Sequence, residues 1–395
     1  MTKLSIKQFI KRQSERKTAI ETTDPETPRA KDIPAAIARF RHPERQFVTI
    51  AQIEDITPDM KCFTLCPDVG PGTQTLAPFE PGQYVSVSHT IGHVRTSRAY
   101  SICSGPDDKN YQIAVRKTAN GLTSAYAYNE WLVGDKLELS APCGTFVFDN
   151  IRDSRNLLCI AGGSGITPFL SMAKAFACGT LDVRRFTLIY GCRREKEIAW
   201  KEEFEEMSRH VPGFEAVFVI SDEEVPGMAH GLIGPEILES RLSDDPTVFI
   251  CGPDAMRTYV VPHLKHAGIK DRRIRAEVQT KNQPASNRQD LFDESRQVAV
   301  RIVTPGYERT LSGSTGQTLL DIIEAGGLRP VCSCRSGFCG SCRAGLQEGE
   351  IFDPAGGGEL RMGDRMFNQI HLCRSYPLTD VTLRVAFEEG GDLNG

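Results

Sequence analysis

Residues 332–342 read CSCRSGFCGSC, four thiols in eleven positions, and no other stretch restricts the chain as strongly. Cys334, Cys339 and Cys342 keep a C-x4-C-x2-C spacing, and Cys373 follows further on in QIHLCRSY. Three thiolates on one loop and a fourth from a distant segment is the ligand spacing of a plant-type [2Fe–2S] cluster. Cys332 is then the spare, because its C-x-C spacing to Cys334 lies outside that pattern and Cys373 would otherwise have no role. Structural zinc would show two C-x2-C-like pairs, and only one is present. Gly337 and Gly340 suit such a loop, which needs positive φ angles and backbone N–H groups turned toward sulfur.

The rest of the composition is that of an ordinary soluble protein. The thirteen cysteines are odd in number, which argues against full disulfide pairing and fits reduced thiols and metal ligands. No apolar run approaches the length of a bilayer span, and the start, MTKLSIKQFIKRQSERK, has charges where a signal peptide has its apolar core. The chain is therefore read as cytoplasmic, without membrane insertion. A net charge of −4 argues against a nucleic-acid partner.

At 395 residues the chain has room for two or three domains. Residues 1–45 are polar and rich in Lys and Arg; Ile6, Phe9, Ile10 and Gln13 mark at most a short amphipathic arm. Over 46–150, short β-like segments such as CFTLC, QYVSVSH, RAYSIC and YQIAVRK alternate with Gly, Pro and Asp turns, as in a small antiparallel barrel. Over 151–280, apolar strands (NLLCIA, FTLIYG, FEAVFVIS, TVFICG) alternate with helical stretches, as in a parallel, helix-covered sheet. Residues 281–297 read as a polar linker that lets the last domain swing, and 298–395 suffice for a third small domain with its own strands.

A cluster of this kind takes one electron at a time, whereas a nicotinamide gives up a hydride. If the other domains bind a nicotinamide, a flavin reconciles the two, and the chain is then expected to hold one. RAYSICS (98–104) is the candidate: Arg98 for a flavin phosphate, Tyr100 against the isoalloxazine ring, Ser101 as a donor toward N5. VRKTANGLTSAY, beginning at Val115 and Arg116, offers Gly121, Thr123 and Ser124 at a probable helix start, where N–H groups and the helix dipole attract a pyrophosphate. This second phosphate site favours FAD over FMN. AGGSGITPF follows the strand NLLCIA: Gly162, Gly163 and Gly165 let the backbone approach a diphosphate beside Ser164, with Thr167 as N-cap and Pro168 as first helical residue. It is not the G-x-G-x-x-G fingerprint. In CGPDAMR, Cys251, Gly252 and Pro253 stand at the carboxyl end of the strand TVFIC, where ligands of parallel sheets bind.

Residues 298–395 resemble the plant-type ferredoxin family, and 47–280 resemble the ferredoxin-NADP reductase superfamily in the order and spacing of these motifs. The whole chain looks like the reductases that feed aromatic-ring oxygenases, phenylacetyl-CoA epoxidase or hybrid-cluster protein. The resemblance implies an antiparallel β-barrel flavin domain, an α/β parallel-sheet nucleotide domain and an α+β ferredoxin-like (β-grasp) [2Fe–2S] domain. It implies that Arg98, Tyr100, Ser101 and Gly121 to Ser124 hold flavin and that Gly162 to Pro168 hold NADH or NADPH. Cys251 and Gly252 would lie near the nicotinamide, which makes Tyr100, Ser101 and Cys251 the residues closest to the chemistry. Two departures stand out: RAEVQTK keeps Glu277 without a nearby ring, and the first 45 residues match nothing in the family pattern.

Other candidates are read blandly. Cys62, Cys66, Cys103, Cys143, Cys159, Cys178 and Cys192 are expected to be small buried apolar residues, and His89, His93, His230, His263 and His266 are given no chemistry. Arg193 and Arg194 are either a grip for a 2′-phosphate or surface charge. The expected function is electron transfer from NAD(P)H through FAD and the cluster to a partner redox protein. The alternatives are a redox-sensing binding module and a flavin reductase whose cluster does not conduct.

Overall fold

The computed structural model describes residues 14–18, 22, 33–91, 94–118, 122–242, 245–278, 296–335, 337, 339–353 and 362–387. It divides into two compact units, Met1–Pro43 and Glu44–Gly395. The first holds helix α1 (Ile33–Arg41); Ile6, Phe9, Ile10 and Gln13 lie outside the described residues. In the second, three sheets follow one another along the chain.

The first sheet is built from β1 (Gln46–Thr57), β2 (Met60–Pro67), β3 (Tyr84–Ile91), β4 (Val94–Ser101), β5 (Tyr111–Arg116) and β6 (Lys136–Leu139), in the order β4-β3-β6-β1-β2-β5 with antiparallel pairs. A bridge between Ile102 and Ile113, with the Cys103 N–H donating to the Gln112 carbonyl at 2.8 Å, joins the two outer strands and closes the barrel. Its inward residues, among them Val48, Ile50, Phe63, Val85, Val87 and Val115, form one buried core. This is what alternating half-buried strands accomplish when closure removes the open edge. Helix α2 (Leu122–Glu130) follows β5.

The second sheet is parallel, in the order β10-β9-β8-β7-β11-β12, from β7 (Asn156–Gly162), β8 (Arg185–Cys192), β9 (Phe214–Ile220), β10 (Ala229–His230), β11 (Thr247–Gly252) and β12 (Ile274–Val278). Helices α3 (Thr167–Ala177), α4 (Lys201–His210), α5 (Pro235–Glu239) and α6 (Asp254–His266) connect its strands. All six residues of β11 are buried, as befits a strand covered on both faces.

The third sheet is mixed, in the order β14-β13-β19-β15-β17. Its strands are β13 (Gln297–Thr304), β14 (Tyr307–Ser314), β15 (Arg343–Glu348), β17 (Gln369–His371) and β19 (Val381–Val385), with a small pair β16 (Ile351–Phe352) and β18 (Tyr376–Pro377) beside it. Helix α7 (Leu319–Ala325) buries Leu319, Leu320, Ile322 and Ile323 in the same core as β13 and β19, and a short helix α8 (Met362–Met366) precedes β17. The three architectures are those expected. Of the segment 281–297, residues up to 295 lie outside the described residues. No helix among the described residues is long and apolar enough to cross a membrane.

Candidate functional site

The strand RAYS is β4, and its antiparallel register places Tyr84 opposite Ser101 and Val85 opposite Tyr100. Arg98 is partly buried and donates from Nη1 to the Thr96 hydroxyl (3.1 Å) and the Ser97 carbonyl (2.7 Å). Tyr100 packs against the barrel core, and burial pushes its phenol up to about 12. A phenol so held stays neutral, an apolar face with a polar tip.

Gly121 lies outside the described residues. Beyond it, Thr123 is buried in the first turn of α2 with its hydroxyl unpartnered, while the Ser124 and Thr118 hydroxyls are 2.8 Å apart. An orphaned buried hydroxyl at the start of a nine-residue helix fits a phosphate acceptor, since both the N–H groups and the dipole favour an anion there. The Val115 side chain is fully buried in the barrel core, which leaves its backbone as the part available to a ligand. Arg116 crosses to the nucleotide domain, pairing with Asp59 (2.6 Å) and Glu197 (3.4 Å).

At the end of β7 the chain turns through a 3-10 segment, Gly163–Ile166, which runs directly into α3. Thr167 is therefore not the N-cap. It is already helical, preceded by Ile166 as cap, and its hydroxyl donates to the Ser164 carbonyl at 3.1 Å; Pro168 lies within the first turn. An N-cap residue has non-helical backbone angles, whereas Thr167 already has helical ones (φ −57°, ψ −48°) because the 3-10 turn leads straight into the helix.

The glycines also answer to more than a ligand. A Cβ on Gly165 would stand 2.1 Å from the Cys251 carbonyl oxygen, and one on Gly162 would meet Met256 and Pro253 at 2.7 and 2.9 Å. Close packing of the turn against the CGP strand end requires them. Gly163, by contrast, takes a φ of +54° and, with Ser164, keeps some exposure, while Gly162, Gly165, Thr167 and Pro168 are buried. The Tyr190 hydroxyl donates to the Gly163 carbonyl at 2.9 Å and fixes the turn.

β11 and β12 run in parallel register with Cys251 beside Glu277, and the Cys251 thiol donates to Glu277 Oε2 at 3.8 Å. Burial raises the Glu277 carboxyl to about 7, opposed by that hydrogen bond, and pushes the Cys251 thiol well above the ordinary thiol range. The carboxyl thus exchanges a proton near neutrality. Gly252 is buried, and Pro253 is exposed as the N-cap of α6.

The cluster loop has the backbone its glycines implied: Gly337 at φ +84°, Gly340 at +74°, and Arg335 also left-handed at +55°. The Cys339 N–H points at Cys334 Sγ (3.5 Å) and the Ser341 N–H at Cys339 Sγ (3.4 Å). Cys334 and Cys339 are hydrogen-bonded neighbours, and Cys342 is one with Cys373. Among the described residues no three Cys, His, Asp or Glu side chains converge on one point. Cys334 stands with Cys339, while Cys342 contacts both Cys332 and Cys373; a binuclear cluster takes four such thiolates, two per iron. The Cys339 thiol is raised above its ordinary range first by its Cys334 neighbour and then by burial. Adjacent thiols of this kind ionise together when a cation supplies the compensating charge, which fits iron. Cys332 is a third thiol, hydrogen-bonded to Cys342.

Among the bland candidates, Cys62, Cys103, Cys159 and Cys192 are buried as expected, Cys66 and Cys143 only partly, and Cys178 is exposed at the end of α3. Arg193 and Arg194 are exposed. His89 stacks on Tyr126 (centroids 5.6 Å apart) and lines a crevice of about 990 Å³ that holds none of the residues assigned to a cofactor. Sequence reasoning missed Tyr84 and Arg335. Tyr84 lies near Cys143, Cys334 and Cys339, which add to burial in raising its phenol.

Residues 48–148 match the model of the oxidoreductase FAD-binding domain, 159–261 that of the oxidoreductase NAD-binding domain, and 303–378 that of the 2Fe-2S iron-sulfur cluster binding domain. The carnitine monooxygenase reductase subunit of Escherichia coli is 30% identical over 77% of this chain and 87% of its own. A flavohemoprotein of Rhizobium meliloti is 32% identical over 61% of this chain, which spans 59% of that protein. The solved structure of phthalate dioxygenase reductase superposes with a TM-score of 0.63 at 25% identity, covering 87% of this chain and 98% of that one. The chain belongs to the ferredoxin-NADP reductase superfamily, as an NAD(P)H-dependent electron-transfer reductase that joins FAD-, NAD- and [2Fe–2S]-binding domains in one polypeptide.

Proposed function

We propose that this reductase serves an oxygenase component, with its nucleotide, flavin and cluster sites formed by the residues described above. The observation that carries the reading is the pairing of Cys334 with Cys339 and of Cys342 with Cys373, in one compact unit with the other two sheets. The relatives that extend over most of the chain, the carnitine monooxygenase and phthalate dioxygenase reductases, support the oxygenase assignment by their names.

When bound, FAD accepts the hydride of NAD(P)H and the cluster takes its electrons singly, so one NAD(P)H reduces two one-electron acceptors and releases a proton. Each chain residue has a task in this. Arg98 and the Thr123–Ser124 turn hold the flavin phosphates, and Tyr100 covers the ring while Ser101 donates toward N5. Gly163 and Ser164 present backbone to the nucleotide diphosphate, and Gly162, Gly165 and Gly252 keep the turn tight against the strand ends. Cys251 and Gly252 border the nicotinamide, and Glu277 holds an exchangeable proton behind the Cys251 thiol. Cys334, Cys339, Cys342 and Cys373 ligate the two irons.

The test is cofactor analysis of anaerobically purified protein, followed by turnover with a purified oxygenase component. One FAD, two irons and two sulfides per chain, with NAD(P)H oxidation coupled to product, are expected. FMN on denaturation would overturn the FAD assignment. Normal reduction of an artificial acceptor without reduction of any oxygenase component would overturn the partner.

A further inference from the structure

The cluster domain meets the barrel on the strand pair that bears RAYS. The Ser333 hydroxyl lies 2.8 Å from the Ser86 hydroxyl on β3, and the Ser97 hydroxyl on β4 donates to the Ser333 carbonyl at 3.1 Å. Two residues on, Arg335 Nε donates to Ser97 Oγ at 3.3 Å. The rest of that guanidinium is engaged by Glu324 of α7, with Nη1 to Oε2 at 2.8 Å and Nη2 to Oε1 as the second contact. Both side chains are enclosed, 8% and 17% exposed.

Three features of Arg335 stand together. It occupies a left-handed backbone conformation that non-glycine residues seldom adopt, it follows Cys334 directly, and its fork joins the core helix of its own domain to a strand of another. A residue held against backbone preference by a buried, bidentate pair is over-determined by its surroundings. The fork is planar with five donors, so Arg335 can satisfy Glu324 and still reach Ser97, which the point charge of a lysine cannot do in that geometry. Tyr84, the cross-strand neighbour of Ser101, lies in the same seam beside Cys334 and Cys339. The loop end that carries Cys334 is thereby fixed next to the strand assigned to flavin.

We propose that Arg335 is a positioning residue for flavin-to-cluster electron transfer, holding the Cys334 end of the loop on β3 and β4 through Ser97 and the Ser86–Ser333 contact. The inference rests on the flavin and cluster assignments of the proposed function. Electrons cross this seam one at a time after NAD(P)H has delivered its pair, and no further reductant enters.

Arg335→Lys and Ser97→Ala test it in the full-length, cofactor-loaded protein. Ser97→Ala touches no cysteine and keeps the Ser97 carbonyl that Arg98 uses. In anaerobic single turnover, flavin bleaching by NAD(P)H is expected to stay within about twofold of wild type. Cluster reduction is expected to slow about tenfold, the order by which losing a charge-assisted hydrogen bond shifts a docking equilibrium. The cluster's electron paramagnetic resonance signal should be unchanged in Ser97→Ala, while deuterium uptake in β3 and β4 rises. Cluster reduction at the wild-type rate in both variants would overturn the proposal. If wild-type flavin were not bleached by either nucleotide, the proposed function itself would fail, a result separable from the first.

Discussion

The nucleotide turn and the cluster loop are both tight, glycine-bearing segments that lead to a cofactor, yet they are held in opposite ways. Around Gly162–Thr167 the chain is packed against itself: Gly165 against the Cys251 carbonyl, Gly162 against Met256 and Pro253, with buried parallel strands on either side. Around Cys332–Cys342 the chain is held by polar devices: N–H groups on sulfur, the Gly337 carbonyl within 2.7 Å of His371 Nδ1, and the buried pairs Arg335–Glu324 and Arg374–Asp353. The first is a shape that steric fit maintains without a ligand. The second assembles thiols that ionise together when a cation supplies the compensating charge.

The strongest break in this comparison comes at the loop. Cys339→Ser is expected to abolish cluster absorbance and the reduction of one-electron acceptors that depend on it, while NAD(P)H still bleaches the flavin. Retained cluster-dependent reduction would mean that Cys339 is not a ligand.

At the turn, Gly165→Ala is expected to cost about 3 kcal/mol, because the added methyl overlaps backbone that cannot give way. Thermal melting of the apoprotein checks this. Since the contact is between protein atoms, the loss should appear without nucleotide; a loss seen only in nucleotide binding would show that ligand approach, not packing, is what requires Gly165.

A smaller effect concerns the pair at the strand ends. Glu277 has its carboxyl raised by burial from 4.5 to about 7. The native state therefore binds this proton more tightly than the unfolded chain, and the associated stability is fully present below about 4.5 and is lost as pH rises through about 7. Glu277→Gln is expected to flatten the fall in stability across that window, measured as the melting temperature against pH. An unchanged profile would locate the titration elsewhere.

The smallest effect is expected at Cys332. Cys332→Ser should leave iron content and the cluster spectrum as in wild type, because the C-x4-C-x2-C spacing with Cys373 supplies four ligands without it. Altered absorbance would make Cys332 a ligand and sharpen the difference between loop and turn, since only the loop offers a surplus donor.

Local features were legible in the sequence and tertiary ones were not. The cysteine spacing announced the loop because three of its donors are neighbours in the chain, and strand periodicity gave the barrel and the parallel sheet because burial on one face or both is written residue by residue. The N-cap at Thr167 was misread because a 3-10 turn had already begun four residues earlier, a difference that Gly-Ser-Gly-Ile does not encode. The packing demand on Gly165 is not legible in the sequence, because its contact with Cys251 arises only when β7 and β11 lie side by side. The seam between Ser97 and Arg335 joins residues 238 positions apart, and neither has a local pattern that points to the other.

The central claim is that electrons enter at the nucleotide turn and leave through the cluster loop of the same chain. Its most direct test is anaerobic stopped flow with NADH and then NADPH, following flavin and cluster absorbance together. The account predicts flavin bleaching first and cluster reduction second, with one nucleotide faster than the other. Bleached flavin beside a cluster that stays oxidised would contradict it and leave a reductase confined to the first two sheets.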